Sequence, residues 1–389
     1  MPLSDGIHLI SVDDHLIEHP RVWLDRVPAK YLEDCPTVVE SGPEGMKSEF
    51  GSDVKPHSQV WRYEGRIHAQ MGLNAVAGKP PEALGLDPVR YDEMIPGCFD
   101  PVERVKDMDI DGVQAALCFP SFPKFAGTLF LQSEDKELAR VCSAAWNDFV
   151  VDEWCAAAPD RFIPLMILPF WDIPATVAEI ERMAAKGARA ISFPENMVSL
   201  GLPSFHTDHW DPVFSAAEEA GLPLCMHFGT SGKVPNTADD APMAVMISLM
   251  ACNSMYAMSD LLFSPVFHRH PRLQVAFSEG GVGWLPYLLE RMDSTWERHR
   301  FYQNVNQERR PSDLFREHMY GCFITDDVGV ALRHAIGIDR LLWECDYPHS
   351  DSHWPNSRKV AAEMFHDVPD DEVRQITELN ARALFNFPR

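Results

Sequence analysis

A chain of 389 residues that is 46% hydrophobic and 24% charged has ample material for a buried core and is too apolar for a largely disordered polymer. Its 58 acidic residues outnumber 34 basic ones, and the net charge of -24 disfavours nucleic acid or an anionic membrane as partner, since both need a positive face. Small anionic substrates stay open, because they need only one or two local cations.

No run of about 18 uninterrupted apolar residues occurs, so no membrane-spanning helix is expected. The polar start Met1–Gly6 lacks the charged and apolar regions of a signal peptide. Nine cysteines without a Cys-x-x-Cys pair read as reduced thiols, which places the protein in a cytoplasm.

Short β-rich runs separated by helical periodicity are expected along the chain. The first run is Ile7 to Val12 and the second Val113 to Phe119. Phe162 to Leu168, Ala188 to Phe193 and Leu222 to His227 follow, then Gln274 to Ser278, Met319 to Ile324 and Leu341 to Cys345. Helical patterns cover Asp135 to Ala157, Ala175 to Lys186, Asp211 to Ala220, Ala244 to Arg269 and Trp284 to Arg298, with a closing helix over Pro369 to Phe385. Gly187 and Gly221 are placed to end two of these helices in the left-handed conformation. Eight strands alternating with helices predict one α/β domain over residues 1–389, a (β/α)8 TIM-type barrel. The Pro- and Gly-rich stretch 19–99 is too long for an ordinary loop, and is expected to be an insertion after strand one, a cap that lies over the mouth or near a dimer interface.

Reactive groups of such barrels gather at the carboxyl ends of the strands. There the sequence offers Asp13 and His15, which are two apart and so on one side of an extended strand, then His227, Glu279 and Asp346. Any one of these has an ordinary structural use. Together at one end they form a plausible seat for a divalent metal.

The runs Ser11–Glu18, His209–Phe214, Leu222–Gly229, Phe277–Asp293 and Trp343–Asp351, in this order, resemble the amidohydrolase superfamily. The resemblance is to the branch of metal-dependent decarboxylases and related hydrolases that holds aminocarboxymuconate-semialdehyde and γ-resorcylate decarboxylases. It implies one divalent ion, Zn2+ first and Mn2+ second, held by Asp13, His15, His227 and Asp346. It also implies a metal-dependent carboxy-lyase acting without oxidation on a small carboxylated aromatic or enol-like compound. The alternative is a hydrolase of an amide, ester or lactone, with Asp346 taking a proton from water.

Glu279 stands where related decarboxylases carry an acid/base histidine and is expected to be catalytic, the competing role being a cap for the helix starting near Val282. Substrate contacts are assigned to His349, Arg66, Lys124 and Trp354, and Glu18 is expected to hydrogen-bond a metal ligand. The partners expected are the small-molecule substrate and a second copy of the chain, in a homodimer or higher homo-oligomer.

Overall fold

The computed structural model describes residues 3–48 and 53–388. Eight parallel strands follow one another in chain order: β1 (Leu9–His15), β2 (Val113–Phe119), β3 (Phe162–Ile163 and Leu165–Met166), β4 (Ala190–Ser192), β5 (Leu224–His227), β6 (Val275–Ser278), β7 (Met319–Phe323) and β8 (Leu341–Trp343). Pro164, which has no N–H to donate, splits β3. Its first half pairs with β2 and its second with β4. Beyond β8 the chain turns back onto β1: the Asp346 N–H donates to the Asp13 carbonyl (2.7 Å) and the His15 N–H to that of Tyr347 (2.7 Å). These two bonds connect the last strand to the first.

Alternation along the strands sorts the side chains. Ile10, Val12, Ala115, Leu117, Ile163, Leu165, Ala190, Cys225, Ala276, Cys322 and Leu342 fill one buried cluster with at least one residue from every strand. Their neighbours Leu9, Ala116, Phe162, Met166, Ile191, Leu224, Val275, Met319 and Leu341 face the other way, into the larger cluster with the helices. On β1 the register with β2 shifts between Ser11 and Asp14. A one-residue slip exchanges the two faces of a strand. The shift leaves Asp14 bonded to Ser11 Oγ (2.7 Å), while Asp13 and His15 point into the site.

The helices follow local chemistry. Asp135 caps Lys136–Phe149 by accepting two N–H groups, and Gly187 and Gly221 end their helices in the left-handed region at φ 105° and 66°. A helix at Pro101–Asp111 is missing from the sequence reading. Asp100 accepts the N–H groups of Val102 and Glu103, and Pro101 stands at its first turn, a start signal that was legible.

The stretch expected as one helix over Ala244 to Arg269 is three: Met243–Ser248, Ala251–Phe263 and Val266–Arg269. By length and composition alone, Met243–Phe263 meets the requirements of a membrane-crossing helix. Its second half packs Asn253, Ser254, Ala257, Met258, Leu261 and Leu262 into the protein.

Within 19–99, residues 49–52 lie outside the described ones. The remainder holds an antiparallel sheet, Thr37–Glu40 with Gln59–Tyr63 with Arg66–His68, which buries Val60, Trp61 and Tyr63. Val76 and Ala77 both donate N–H to the Pro348 carbonyl, which ties this segment to the turn after β8.

Arg104 lies fully buried beneath the strand ends. It donates to the carbonyls of Gly97 (2.8 Å) and His15 (2.5 Å), stands 3.6 Å from the Asp14 carboxylate, and covers the Tyr347 ring at 4.1 Å. It therefore braces the residues that carry and follow the strand-end acids. Burial already pushes the Asp14 carboxyl up to about 7 against the opposing pull of Arg104. Arg104→Met strands that carboxylate and is expected to cost about 3–5 kcal/mol in urea unfolding. A loss below about 1 kcal/mol would show that the brace contributes little.

Candidate metal centre

Asp13, His15, His227 and Asp346 meet at the carboxyl ends of β1, β5 and β8, and all four are buried. His15 Nε2 stands 3.4 Å from Asp13 Oδ1 and 3.4 Å from Asp346 Oδ1. His227 Nε2 stands 3.4 Å from Asp13 Oδ2, 3.2 Å from Glu279 Oε2 and 3.2 Å from His15 Nε2. His227 Nδ1 lies 2.8 Å from the Phe228 carbonyl, which can only accept, so that nitrogen carries the proton and Nε2 presents its lone pair to the cluster.

Polar satisfaction in this cluster is poor. Both carboxylate oxygens of Asp13 and both of Asp346 are buried without a well-aligned hydrogen bond, although His349 Nδ1 approaches Asp346 Oδ1 to 3.0 Å. Buried polar atoms are normally paired, and an unpaired carboxylate is especially costly. Burial, with Glu344, Glu279 and Asp346 close by, holds Asp13 well above the usual carboxylate range. Burial followed by Asp351 does the same to Asp346, and burial followed by Asp346 to Glu279. The imidazoles cannot supply the missing positive charge. Burial lowers His227 to about 3 and His349 to about 4, and lowers His15 as well with His349 and His227 beside it. A divalent cation fits this donor set: it gives the orphaned oxygens a partner, offsets two carboxylates and accepts lone pairs from neutral imidazoles. Two subsets, Asp13 with His15 and His227, and His15 with Asp346 and His349, each bring three ligand atoms within 4.8 Å of one another.

Two strand-end residues hold backbones unusual for side-chain-bearing residues. Glu279 has φ 52° and Asp346 φ 59°. Such conformations cost of order 1–3 kcal/mol and persist where surrounding bonds impose them. The Asp346 N–H is held by the Asp13 carbonyl (2.7 Å), and that of Glu279 by the carboxylate of Glu344 (3.1 and 3.3 Å). Glu344 is fully buried and absent from the sequence reading. It sits two residues before Asp346 in a strand-end run, a position that could have drawn notice.

The cap expected of Glu279 is supplied by another residue: the N–H groups of Val282 and Gly283 both donate to Asp326 Oδ2 at 2.7 Å. The Glu279 side chain instead faces His227 and lines a cavity of about 300 Å³ together with Asp346 and His349. His349 stacks on His15 with ring centroids 3.7 Å apart and puts Nδ1 3.0 Å from Asp346 Oδ1.

The other assigned contacts lie farther out. Lys124 lines a neighbouring cleft of about 420 Å³ that shares Phe125 and Gly229 with the first cavity. Arg66 pairs with Glu134 on the surface and borders neither space. Trp354 donates Nε1–H to the Asp107 carbonyl (3.0 Å) and packs against Tyr347, also away from both. The Glu18 carboxylate makes its hydrogen bonds elsewhere than to a metal ligand, contrary to expectation. It accepts the N–H groups of Ser121 and Phe122 and the indole N–H of Trp146, and so fixes the loop after β2.

Residues 54–387 match the family described as Amidohydrolase. A γ-resorcylate decarboxylase from Rhizobium sp. (strain MTP-10005) is 25% identical over 301 residues, which cover 73% of this chain and 86% of the relative. Among solved structures, an amidohydrolase from Mycobacterium avium subsp. paratuberculosis K-10 superimposes with a TM-score of 0.71 at 19% identity, over 98% of this chain and all of the other. A 5-carboxyvanillate decarboxylase from Novosphingobium aromaticivorans DSM 12444, solved with manganese and 4-hydroxy-3-methoxy-5-nitrobenzoic acid, has a TM-score of 0.65 at 17% identity, over 98% of this chain and 96% of that one.

Proposed function

The chain belongs to the amidohydrolase family, and from that premise we propose a metal-dependent carboxy-lyase that removes carbon dioxide, without oxidation, from a small aromatic or enol-like carboxylic acid. The observation that carries this reading is the set of four orphaned carboxylate oxygens facing two neutral imidazoles at the strand ends. The γ-resorcylate decarboxylase relative supports the reaction type. In this reading the eight parallel strands are a (β/α)8 barrel, and 19–99 is an insertion over its mouth.

Asp13, His15, His227 and Asp346 would hold one divalent ion. Bound there, it would act as a Lewis acid towards the substrate carboxylate and an adjacent hydroxyl or carbonyl oxygen. Two carboxylates and two imidazoles suit Mn2+ as well as Zn2+. Glu279 would deliver its proton to the ring carbon that bears the carboxylate. The bond to the carboxylate then breaks, its electron pair returns to the ring, and carbon dioxide leaves. His349, stacked on His15 beside the cavity, would orient the substrate. Lys124, at the edge of the neighbouring cleft, is retained as an outer contact.

A hydrolase is the second reading. It is favoured by the 3.0 Å approach of His349 Nδ1 to Asp346, a pair suited to taking a proton from water. Carboxyl-13C-labelled 2-hydroxybenzoates, incubated with the manganese-loaded protein beside ester and lactone probes, separate the two. Labelled carbon dioxide is the expected product, and turnover confined to the esters or lactones would favour the hydrolase.

All nine cysteines are free, consistent with the cytoplasmic location we propose. We further propose a homodimer in which 19–99 lies near the interface or over the mouth, since Met71 and Leu86 there are 45% and 54% exposed. Light scattering at micromolar concentration should return twice the chain mass, and a monomer would contradict this.

A further inference from the structure

The helix Met243–Ser248 is almost wholly apolar in sequence, yet none of its residues is buried. Met243, Met246, Ile247 and Met250 recur at the spacing of one helical face. That face does not pack into the core. It forms one wall of the 300 Å³ cavity whose polar end is Glu279, Asp346 and His349. Phe125 and Phe228 line the same cavity. Ile247 of this wall and Val234, which also lines the cavity, are each 38% exposed. The 420 Å³ cleft, which Lys124 also lines, shares Phe125 and Val234 with this cavity.

Charge sharpens the picture. Among the described residues lining the 300 Å³ cavity there is no Lys or Arg, and Asp351 adds a further acid. A second carboxylate held within this cavity would meet apolar sulfur and carbon on one side and a like charge on the other, with no cation among the lining residues to offset its desolvation. Unbranched methionines adapt their shape to irregular apolar groups.

We propose that the substrate is an amphiphilic monocarboxylic acid: an aromatic acid whose only anionic group sits at the strand ends, and which carries an apolar substituent extending past the ring along the Met243–Met250 face. This rests on the proposed binding of the substrate carboxylate at the metal centre. It adds the length and polarity of the remainder of the molecule, and it disfavours a second carboxylate held within the 300 Å³ cavity.

The test is binding, measured by calorimetry on the manganese-loaded protein. The probes are 2-hydroxybenzoate, its 4-propyl and 4-hexyl homologues below their self-association limits, and the dicarboxylate 2-hydroxyterephthalate. Burial of each methylene should tighten binding about three- to fourfold, so that a hexyl homologue with about four of its carbons buried binds about 100-fold tighter than the parent. The dicarboxylate should bind more weakly than the parent, and Met246→Asp should flatten the series. Metal-dependent binding of the parent with no gain along the series would overturn this inference and leave the metal-centre reading standing. Metal-independent binding of every homologue would instead sink the metal-centre reading on which it rests. An unchanged series in Met246→Asp, with an altered oligomeric state, would assign the helix face to a subunit contact and overturn the proposal.

Discussion

Replacing His227 with alanine is expected to strip the chain of its divalent ion on dialysis and to abolish turnover. Its Nε2 lies within 3.4 Å of Asp13, His15 and Glu279. Losing merely the outer partner of a metal ligand costs about 10–100-fold in affinity, and losing the ligand itself should exceed that. The packing of its ring on Phe125 (tilted, 4.3 Å) and Phe119 (edge-on, 5.2 Å) would also be lost, so some fall in melting temperature is expected. Elemental analysis of the folded variant decides the point. Full occupancy would remove His227 from the shell.

The second large effect is expected at Glu279. Glutamine there keeps the size of the side chain and leaves the backbone N–H free to bond Glu344, so the left-handed turn is retained. The helix start is unaffected, because Asp326 already receives its N–H groups. What glutamine cannot do is exchange a proton. General acid catalysis contributes about 10²–10⁴-fold, and a loss of turnover of that size is expected with metal content and melting temperature retained. Near-normal turnover would move the proton transfer to Asp346 or His349.

Much of this site was legible in the sequence because strand alternation and strand ends are local properties. Asp13, His15, His227 and Asp346 each sit within or just beyond an apolar run, and a parallel sheet carries such ends to one side. What escaped notice depends on partners distant in sequence. Glu344 acquires its role from the N–H of Glu279, 65 residues away. Arg104 acts through the carbonyl of His15, 89 residues away. Glu18 followed the family motif but serves the Ser121–Phe122 loop, because its carboxylate reaches two N–H groups there. The break near Met250 lies within an unbroken apolar pattern, whereas Pro265 marked the second break in plain view. The sheet within 19–99 is built of strands of three to five residues between Pro and Gly positions, too short for periodicity to register.

The most direct test of the metal centre is anomalous diffraction from crystals of the manganese-loaded protein at the manganese edge. One peak is expected per chain, bounded by Asp13 and His15 of β1, His227 of β5 and Asp346 after β8. A peak elsewhere, or none among these four residues, would contradict the account.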